Sequence, residues 1–152
     1  MCIRDSVYVA RRLDDQSMVA IKMLDPSLFG QDEAMRRFER ELRVQSRIKH
    51  PNTVKVHESG RTPDGLPYLI LDHVEGELLS DLIEDRERLP WSVACHIAGN
   101  ISSALDAAHE INIVHRDLSP ENILIVDAES ETPTVKVLDL SLIHISEPTR
   151  PY

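Results

Sequence analysis

Residues 115–122 read His-Arg-Asp-Leu-Ser-Pro-Glu-Asn, and this stretch determines how the rest of the chain is interpreted. Asp117 supplies a carboxylate that can accept a proton from a hydroxyl group. Asn122 supplies an amide oxygen that suits a hard cation such as Mg²⁺. The intervening Ser119-Pro120 favours a turn over a continuing helix, so both side chains can point into one cleft. The stretch therefore predicts a loop that combines a proton acceptor with a cation ligand.

The eight-residue pattern H-R-D-L-x-x-x-N resembles the catalytic loop of protein kinases. Two other stretches support this resemblance. Val19-Ala20-Ile21-Lys22 is similar to the V-A-I-K strand of that family, and residues 135–139 resemble the strand that leads into its Asp-Phe-Gly motif. Together they look most like the bacterial serine/threonine kinases. The resemblance implies an α+β, two-lobe fold that is incomplete here, with a small β-rich N-lobe, one long helix and a partial helical C-lobe.

Five residues take catalytic or metal-binding roles by this resemblance. Lys22 would contact the nucleotide phosphates, and a helix glutamate would pair with it. We assign that glutamate to Glu41 because it shares the inward helix face with Phe38, whereas Glu39 falls among arginines. Asp117 would accept or orient the proton of the substrate hydroxyl, so the expected catalytic residues are Lys22, Glu41 and Asp117. The expected Mg²⁺ ligands are Asn122 and Asp139.

The same resemblance implies an ATP pocket lined from both lobes. Residues 72–74 would form the hinge whose backbone holds the adenine, and Leu71 would limit access to the back of the pocket. The ATP-binding residues expected on this basis are Val7, Ala20, Lys22, Leu71, Asp72, Val74 and Leu124.

Three departures from the family pattern affect the expected activity. Only Val7 corresponds to the family's Gly-rich loop, so the backbone amides that would cover the phosphates are missing. Ser119 stands where these kinases usually carry a lysine that contacts the transferred phosphate. Leu140 follows Asp139 where the family has phenylalanine. The expected domain is therefore cut at both ends, and we expect the 152-residue chain itself to have little or no catalytic activity.

The two termini resemble an adapter used to prepare sequencing libraries. Residues 140–145 can be encoded CTG TCT CTT ATA CAC ATC, whose reverse complement reads G ATG TGT ATA AGA GAC AG. That string encodes residues 1–5 and begins a codon compatible with Ser6. A chance coincidence of codons or a natural tail is the alternative. We predict artefactual segments at 1–6 and 140–152, an N-lobe at 7–71, a hinge at 72–76 and a partial C-lobe at 77–139.

Composition narrows the expected partners and location. The formal net charge of −9 argues against nucleic acid or an anionic membrane surface as a partner. The kinase resemblance implies ATP and a protein Ser/Thr substrate as partners. The arginines between residues 36 and 47 are interpreted as a solvated helix face. Cys2 and Cys95 show no metal or redox spacing, which favours a reducing, cytoplasmic setting. The apolar runs are too short for a membrane span, although the parent protein could be anchored elsewhere.

The hydrophobic pattern predicts alternating strands and helices. Strands are predicted at 7–10, 18–23, 54–57, 67–71, 123–126 and 135–138. Helices are predicted at 31–49, 77–85 and 90–110, and His50-Pro51-Asn52 is expected to end the first of them. Residues 68–71 are apolar throughout, so that strand is expected to be fully buried. On the last helix, His96 and Asn100 share a face that is interpreted as polar surface.

Three functions are compatible with these residues. The first is a fragment of a protein serine/threonine kinase that transfers the γ-phosphoryl group of ATP with Mg²⁺. Ser119 motivates the second, a nucleotide-binding pseudokinase or regulatory module. The third is a small-molecule kinase of the aminoglycoside type, which uses a related H-x-D-x-x-x-x-N loop. The V-A-I-K and His-Pro-Asn segments favour the protein-kinase branch over the third.

Overall fold

The computed structural model describes residues 5–86, 88–115 and 118–138. Arg116, Asp117 and Asp139 lie outside this range, as do the segments 1–4 and 140–152. The described chain is α+β, as predicted, and divides into two units. The first comprises the residues up to Arg47 together with Val54–Val74. The second comprises Ile48–Thr53 together with the residues from Glu75 onward. The segment Ile48–Thr53 therefore belongs to the second unit, although the sequence placed it in the first lobe.

The first unit contains a four-stranded antiparallel sheet in the order β1-β2-β4-β3. Its strands carry β-branched and aromatic residues, which suit a pleated, half-buried surface. A turn joins the first two strands, and the Arg12 amide donates to the Ser17 carbonyl across it. The strands are β1 (Asp5–Arg11), β2 (Met18–Leu24), β3 (Val56–Arg61) and β4 (Pro67–Asp72).

Helix α1 (Asp32–Gln45) contacts β4 and contributes to the core of the first unit. Phe38 is fully buried and Leu42 is 6% exposed, as their spacing predicted. The helix ends four residues earlier than expected, because the amides of Ser46 and Arg47 bond back to the Leu42 and Val44 carbonyls and tighten the last turn. The prediction that the His-Pro-Asn segment ends the helix was wrong.

Two predictions for β3 and β4 were also wrong. β3 begins at Val56 rather than residue 54 and extends to Arg61, beyond the predicted end at residue 57. A register shift at His57 bends this strand, and such bulges leave little trace in a short polar sequence. β4 alternates between buried and half-buried residues instead of being buried throughout, because only one of its faces meets the core.

The second unit combines two helices with a three-stranded antiparallel sheet, in the order β5-β6-β7. The strands predicted at 123–126 and 135–138 appear with almost the same bounds. The helix predicted from residue 77 begins two residues later, because Glu77 and Leu78 pair with β6 as a short strand. The elements are β5 (Glu77–Leu78), α2 (Leu79–Arg86), α3 (Trp91–Glu110), β6 (Ile123–Val126) and β7 (Thr134–Val137).

The core of the second unit joins one face of α3 to the alternating residues of β6 and β7. The buried residues of α3 recur at the period of a helix and are Val93, Ile97, Ala104 and Ala108. Pro90 is the N-cap of α3 rather than its first helical residue. Within the described ranges, no helix is long and apolar enough to cross a membrane.

Candidate functional site

Lys22 is buried on a rigid central strand of the first unit. It lies in β2, pairs with Val7 of β1 and Leu69 of β4, and is 4% exposed. Burying an ammonium group is costly unless the group is compensated, and Lys22 does interact within the structure. Because its strand is paired on both sides, Lys22 has a defined position, and its ammonium group could bind an anion there.

Three of the expected nucleotide-binding residues, Val7, Ala20 and Leu71, share one face of the sheet with Lys22. Residues two apart on a strand point to the same face, and directly paired residues do so as well. Ala20 lies two positions from Lys22 and pairs with Leu71, while Val7 pairs with Lys22 itself. Val7 is 62% exposed and Leu71 is 8% exposed, with Ala20 between these extremes. The exposure of the side chains on this face therefore decreases from Val7 to Leu71.

Glu41 occupies the inward face of α1, whereas Glu39 does not. Glu41 is 7% exposed, and its Oε1 lies 3.4 Å from Arg37 Nε. The Glu39 side chain is 30% exposed and forms an ion pair with Arg61 of β3. The burial of these two residues supports the choice of Glu41, since a glutamate that holds Lys22 has to be on the buried side of the helix. Their pairing remains a proposal.

Asp72 closes β4, and its polar groups are engaged inside the first unit. Its amide donates to the Lys55 carbonyl at 3.0 Å, and its Oδ1 lies 2.5 Å from His57 Nε2. The register shift at His57 accompanies this contact. Val74 follows outside the strand and is half-buried. This end of the strand is therefore fixed by hydrogen bonds, which suits the hinge role expected for residues 72–74.

The chain enters the His115 loop through a specific helix ending. Asn112 adopts a left-handed conformation with φ of 60° after α3. Its amide donates to the His109 carbonyl, and the Ile113 amide donates to the Ala108 carbonyl at 2.9 Å. This is the Schellman pattern, in which a left-handed residue satisfies the last helix carbonyls. Ile113 is then 1% exposed and His115 is 3% exposed, so the turn is followed by two buried residues on either side of the exposed Val114.

Both ends of the loop bond to Leu138, the residue immediately before Asp139. The buried His115 ring has Nε2 3.3 Å from the Leu138 carbonyl, and the Leu138 amide donates to the Asn122 carbonyl at 2.8 Å. Asn122 ends a single 3₁₀ turn, Pro120–Asn122, in which its own amide donates to the Ser119 carbonyl. The expected proton acceptor and the two expected metal ligands thus belong to segments that are joined at one point.

Leu124, the expected ATP contact of the second unit, lies in the centre of its small sheet. It pairs with Leu78 of β5 and Lys136 of β7 and is half-buried. Gly76 approaches this strand so closely that an added Cβ would lie 2.6 Å from the Ile125 carbonyl oxygen. A glycine is therefore required where the chain passes β6, at the last residue of the predicted hinge 72–76.

The Ser119 hydroxyl has a local partner in the loop. It donates a hydrogen bond to the Glu121 carboxylate, and this bond holds the pKa of Glu121 below its usual range. The residue that replaces the family's lysine therefore stabilises a negative charge instead of supplying a positive one. Asp117 and Asp139 fall outside the described residues, so their positions stay as predicted from sequence.

The His-Pro-Asn segment holds the second unit together through contacts that were not predicted from the sequence. Asn52 donates from Nδ2 to the Val135 carbonyl and to Asn100 Oδ1, both at 3.0 Å. Asn100 in turn contacts His96, whose ring lies 3.0 Å from the Pro133 carbonyl. The face of α3 that was interpreted as polar surface is thus an internal network. No local pattern indicates it, because its partners are separated by 37 to 83 residues.

The chain matches the protein kinase domain family over residues 5–150. It is 33% identical over 143 residues to the serine/threonine-protein kinase pkn3 of Myxococcus xanthus, covering 94% of this chain and 26% of that protein. It is 34% identical to the serine/threonine-protein kinase Pkn1 of the same organism, over 96% of this chain and 21% of that protein.

A mycobacterial protein gives a similar match. The chain is 32% identical to the serine/threonine-protein kinase PknB of Mycobacterium leprae, over 90% of this chain and 22% of that protein. The chain therefore spans about a quarter or less of the length of these curated relatives.

Proposed function

The chain belongs to the protein kinase family, and we propose that it is part of a serine/threonine kinase that phosphorylates protein hydroxyl groups with ATP and Mg²⁺. The observation that carries this proposal is the attachment of both loop ends to Leu138. These bonds join residues close in sequence to Asp117 and Asp139, which supports a common site for Asp117, Asn122 and Asp139. Phosphoryl transfer would require such a site because its catalysis is mostly positioning and electrostatics.

The residues present suit the two cofactors that the family implies. The amide oxygen of Asn122 and the carboxylate of Asp139 would supply oxygen ligands, which Mg²⁺ prefers. The buried ammonium of Lys22 and the apolar face of Val7, Ala20 and Leu71 suit a phosphate tail and a ring system. When bound, Mg²⁺ would neutralise charge on the phosphates.

Each proposed residue has a defined task on the protein side. Lys22 would hold the phosphates, and Glu41 would keep the lysine in place. Asp117 would accept the hydroxyl proton of the protein substrate. Asp72 and Val74 would bind the adenine through backbone groups, and Leu124 would contact it from the second unit. This division follows the kinase pattern, in which the charged groups bind phosphates and apolar residues bind the base.

A pseudokinase is the second candidate, and serine at position 119 favours it. A lysine at this position would add positive charge beside the transferred phosphate, whereas the uncharged Ser119 side chain adds none. Such a protein would bind nucleotide without efficient transfer. Substituting Ser119→Lys distinguishes these cases, since a slow kinase should gain activity and a pseudokinase should gain none.

The test uses the parent protein obtained from an uninterrupted gene. Transfer of the labelled γ-phosphoryl group to a protein substrate is measured for the parent and for its Asp117→Asn variant. We expect a loss of at least about 10²-fold, because general-base catalysis typically contributes that much. Equal rates for both forms contradict the proposal. Phosphorylation of aminoglycosides but not of proteins would favour the small-molecule kinase instead.

The 152-residue chain should behave differently from its parent. We propose that it is catalytically inactive, since it has no Gly-rich loop and no Phe-Gly after Asp139. Purified chain should give no more peptide phosphorylation than its Asp117→Ala control. Activity above that control would show that the remaining parts suffice for transfer.

A further inference from the structure

His57 is the extra residue of a β-bulge in β3. Val56 pairs with Leu71 of β4, but the next pair joins Glu58 to Ile70. Two residues of β3 therefore advance where β4 advances by one, and His57 stands outside the regular pairing of these two strands. Bulges of this kind change the direction of a side chain and are frequent beside functional sites. The bulge thus sets the direction of the His57 side chain independently of the regular alternation.

The His57 ring points at the last residue of β4. Its Nε2 lies 2.5 Å from Asp72 Oδ1, and the two side chains are 26% and 40% exposed. An ionised carboxylate can only accept, so the ring N–H is the donor in this hydrogen bond. A charged acceptor strengthens such a bond. His57 and Asp72 therefore form a defined contact between the bulge and the end of β4.

Asp72 is attached to β3 through its backbone as well. Its amide donates to the carbonyl of Lys55, two residues before His57, at 3.0 Å. On the opposite side of β4, Asp72 pairs with Val19 of β2. The residues that follow, 73 and 74, lie outside the strand. The position of the chain is therefore fixed at Asp72, where the hinge predicted at 72–76 begins.

We propose that His57 is a positioning residue for the adenine site of the kinase. It would hold the Asp72 side chain and thereby fix the backbone of residues 72–74. This role rests on the proposed function, which assigns the adenine to that backbone. A backbone that is ordered before the nucleotide arrives loses less conformational freedom on binding, so the affinity is higher. His57 would therefore act through Asp72 and not through contact with the nucleotide.

The exposure of the pair favours a local role over a general stabilising one. Charged contacts that remain partly open to water contribute little to the free energy of unfolding. The sheet is stabilised instead by its buried apolar residues, such as Val19 of β2 and Leu69 of β4. Loss of the contact between His57 and Asp72 should therefore loosen the hinge and leave the fold intact.

Hydrogen exchange on the 152-residue chain tests the effect on the hinge without nucleotide. His57→Phe keeps a ring and removes the N–H donor, so the Asp72 amide should exchange at least about threefold faster. His57→Gln keeps an N–H group near the position of Nε2 and should restore slow exchange. Tyr68→Phe is the matched control, because it removes another bond between β3 and β4, from Tyr68 Oη to Glu58 Oε1 at 2.8 Å. It should leave the Asp72 amide unchanged, and circular dichroism shows whether each variant is folded.

Nucleotide binding is measured on the parent protein obtained from an uninterrupted gene. The probe is ATP with a fluorophore on its ribose, and steady-state rates with unlabelled ATP follow phosphoryl transfer. His57→Phe should raise the dissociation constant and the KM for ATP about three- to tenfold and leave kcat nearly unchanged, because the hinge holds the adenine equally before and during the reaction. Asp72→Ala retains the hinge backbone but removes the acceptor, so it should have a similar effect. The double variant should bind no more weakly than either single variant, because both substitutions remove the same bond.

Several outcomes would overturn the role of His57. These are unchanged ATP affinity in His57→Phe, an equal change in Tyr68→Phe, and additive effects of the His57 and Asp72 substitutions. A lower melting temperature with unchanged ATP affinity would also overturn it, since the contact would then act only on stability. If the parent protein binds ATP without transferring its phosphoryl group, the kinase proposal fails, while the affinities still decide the role of His57. Absence of any ATP binding by the parent protein overturns both.

Discussion

The two units bury polar groups in different ways. The first unit buries Lys22, Glu41 and Gln45 beneath its sheet and helix, and two of these are charged. The second unit buries Asn52, Thr53 and His115, whose partners include backbone carbonyls of neighbouring segments. Buried charges reduce stability unless they are compensated, whereas satisfied neutral groups fix one conformation.

The proposed site needs charged groups that can bind a ligand and loops that are held in place, and each unit supplies one of these. The first unit holds charges where a ligand could use them, and an apolar core of Phe38 and Leu42 stabilises it. The second unit uses hydrogen bonds to hold loops in register around Leu138 and Val135. We therefore expect the first unit to be sensitive to lost apolar volume and the second to lost hydrogen bonds.

Removing Phe38 should have the largest effect on stability. Phe38 is fully buried on α1, so Phe38→Ala should cost about 3–5 kcal/mol in the free energy of unfolding. Phe29→Ala is the matched control, because Phe29 is 50% exposed and should cost far less. Urea unfolding followed by circular dichroism measures both, and hydrogen exchange shows whether β2 and β4 lose protection. Equal losses for the two variants would contradict a core centred on Phe38.

Asn52→Ala should have the next largest effect, and it should act on the second unit. The substitution removes two hydrogen bonds and leaves the buried Val135 carbonyl without its side-chain donor, which should cost about 2–3 kcal/mol. Ser103→Ala is the control, since it removes only an exposed contact to His50. Hydrogen exchange of the β7 amides should increase for Asn52→Ala alone. Unchanged exchange in β7 would show that the network does not hold this strand.

Gln45 gives a prediction of opposite sign in the first unit. Its side chain is 7% exposed, and Oε1 has no hydrogen-bond partner among the described residues. Replacing Gln45 by Met keeps a similar shape without the unsatisfied oxygen, so stability should rise by about 1 kcal/mol. Gln31→Met, at the exposed start of α1, should change little. A decrease in the urea midpoint for Gln45→Met would indicate that the amide has a stabilising partner.

Local periodicity was enough to predict most of the elements that carry the proposed site. The alternation around Lys22 and the helical spacing of Phe38 and Glu41 depend on neighbours within one element, so they are visible in the sequence. The apolar run at 123–126 was equally clear, since its strand bounds were predicted without error. The boundary of α1 was missed because Ile48 follows the apolar pattern while packing in the other unit.

Long-range polar contacts could not be predicted in the same way. Asn52 and Val135 are 83 residues apart, and His115 meets Leu138 across 23 residues. Nothing in the composition of either segment specifies such a partner, because an exposed asparagine and a buried one look alike in sequence. The division of the chain at Ile48–Thr53 was missed for the same reason, since this segment joins the second unit through contacts to α3 and β7.

The smallest expected effect concerns the turn between β1 and β2, where the ionised group Asp15 is exposed, in contrast to the buried Lys22 and Glu41. The Ser17 hydroxyl and amide donate to Asp15 Oδ1 at 2.6 and 2.9 Å and lower the pKa of Asp15. A carboxyl group whose pKa is lower in the folded state than in the unfolded state stabilises the folded protein. This stabilisation is fully present above the unfolded pKa, near 3.8, and is lost as the pH falls through the pKa of the folded state. Asp15→Asn should therefore lower the melting temperature slightly at pH 7, and the difference from the parent chain should shrink as the pH falls below about 3.8.

Ser17→Ala should raise the pKa of Asp15 toward its ordinary value, which carboxyl NMR titration measures directly. If the difference in melting temperature stays constant with pH, Asp15 acts through turn geometry rather than charge. In that case an exposed ionised group of the first unit makes no electrostatic contribution to stability at this turn.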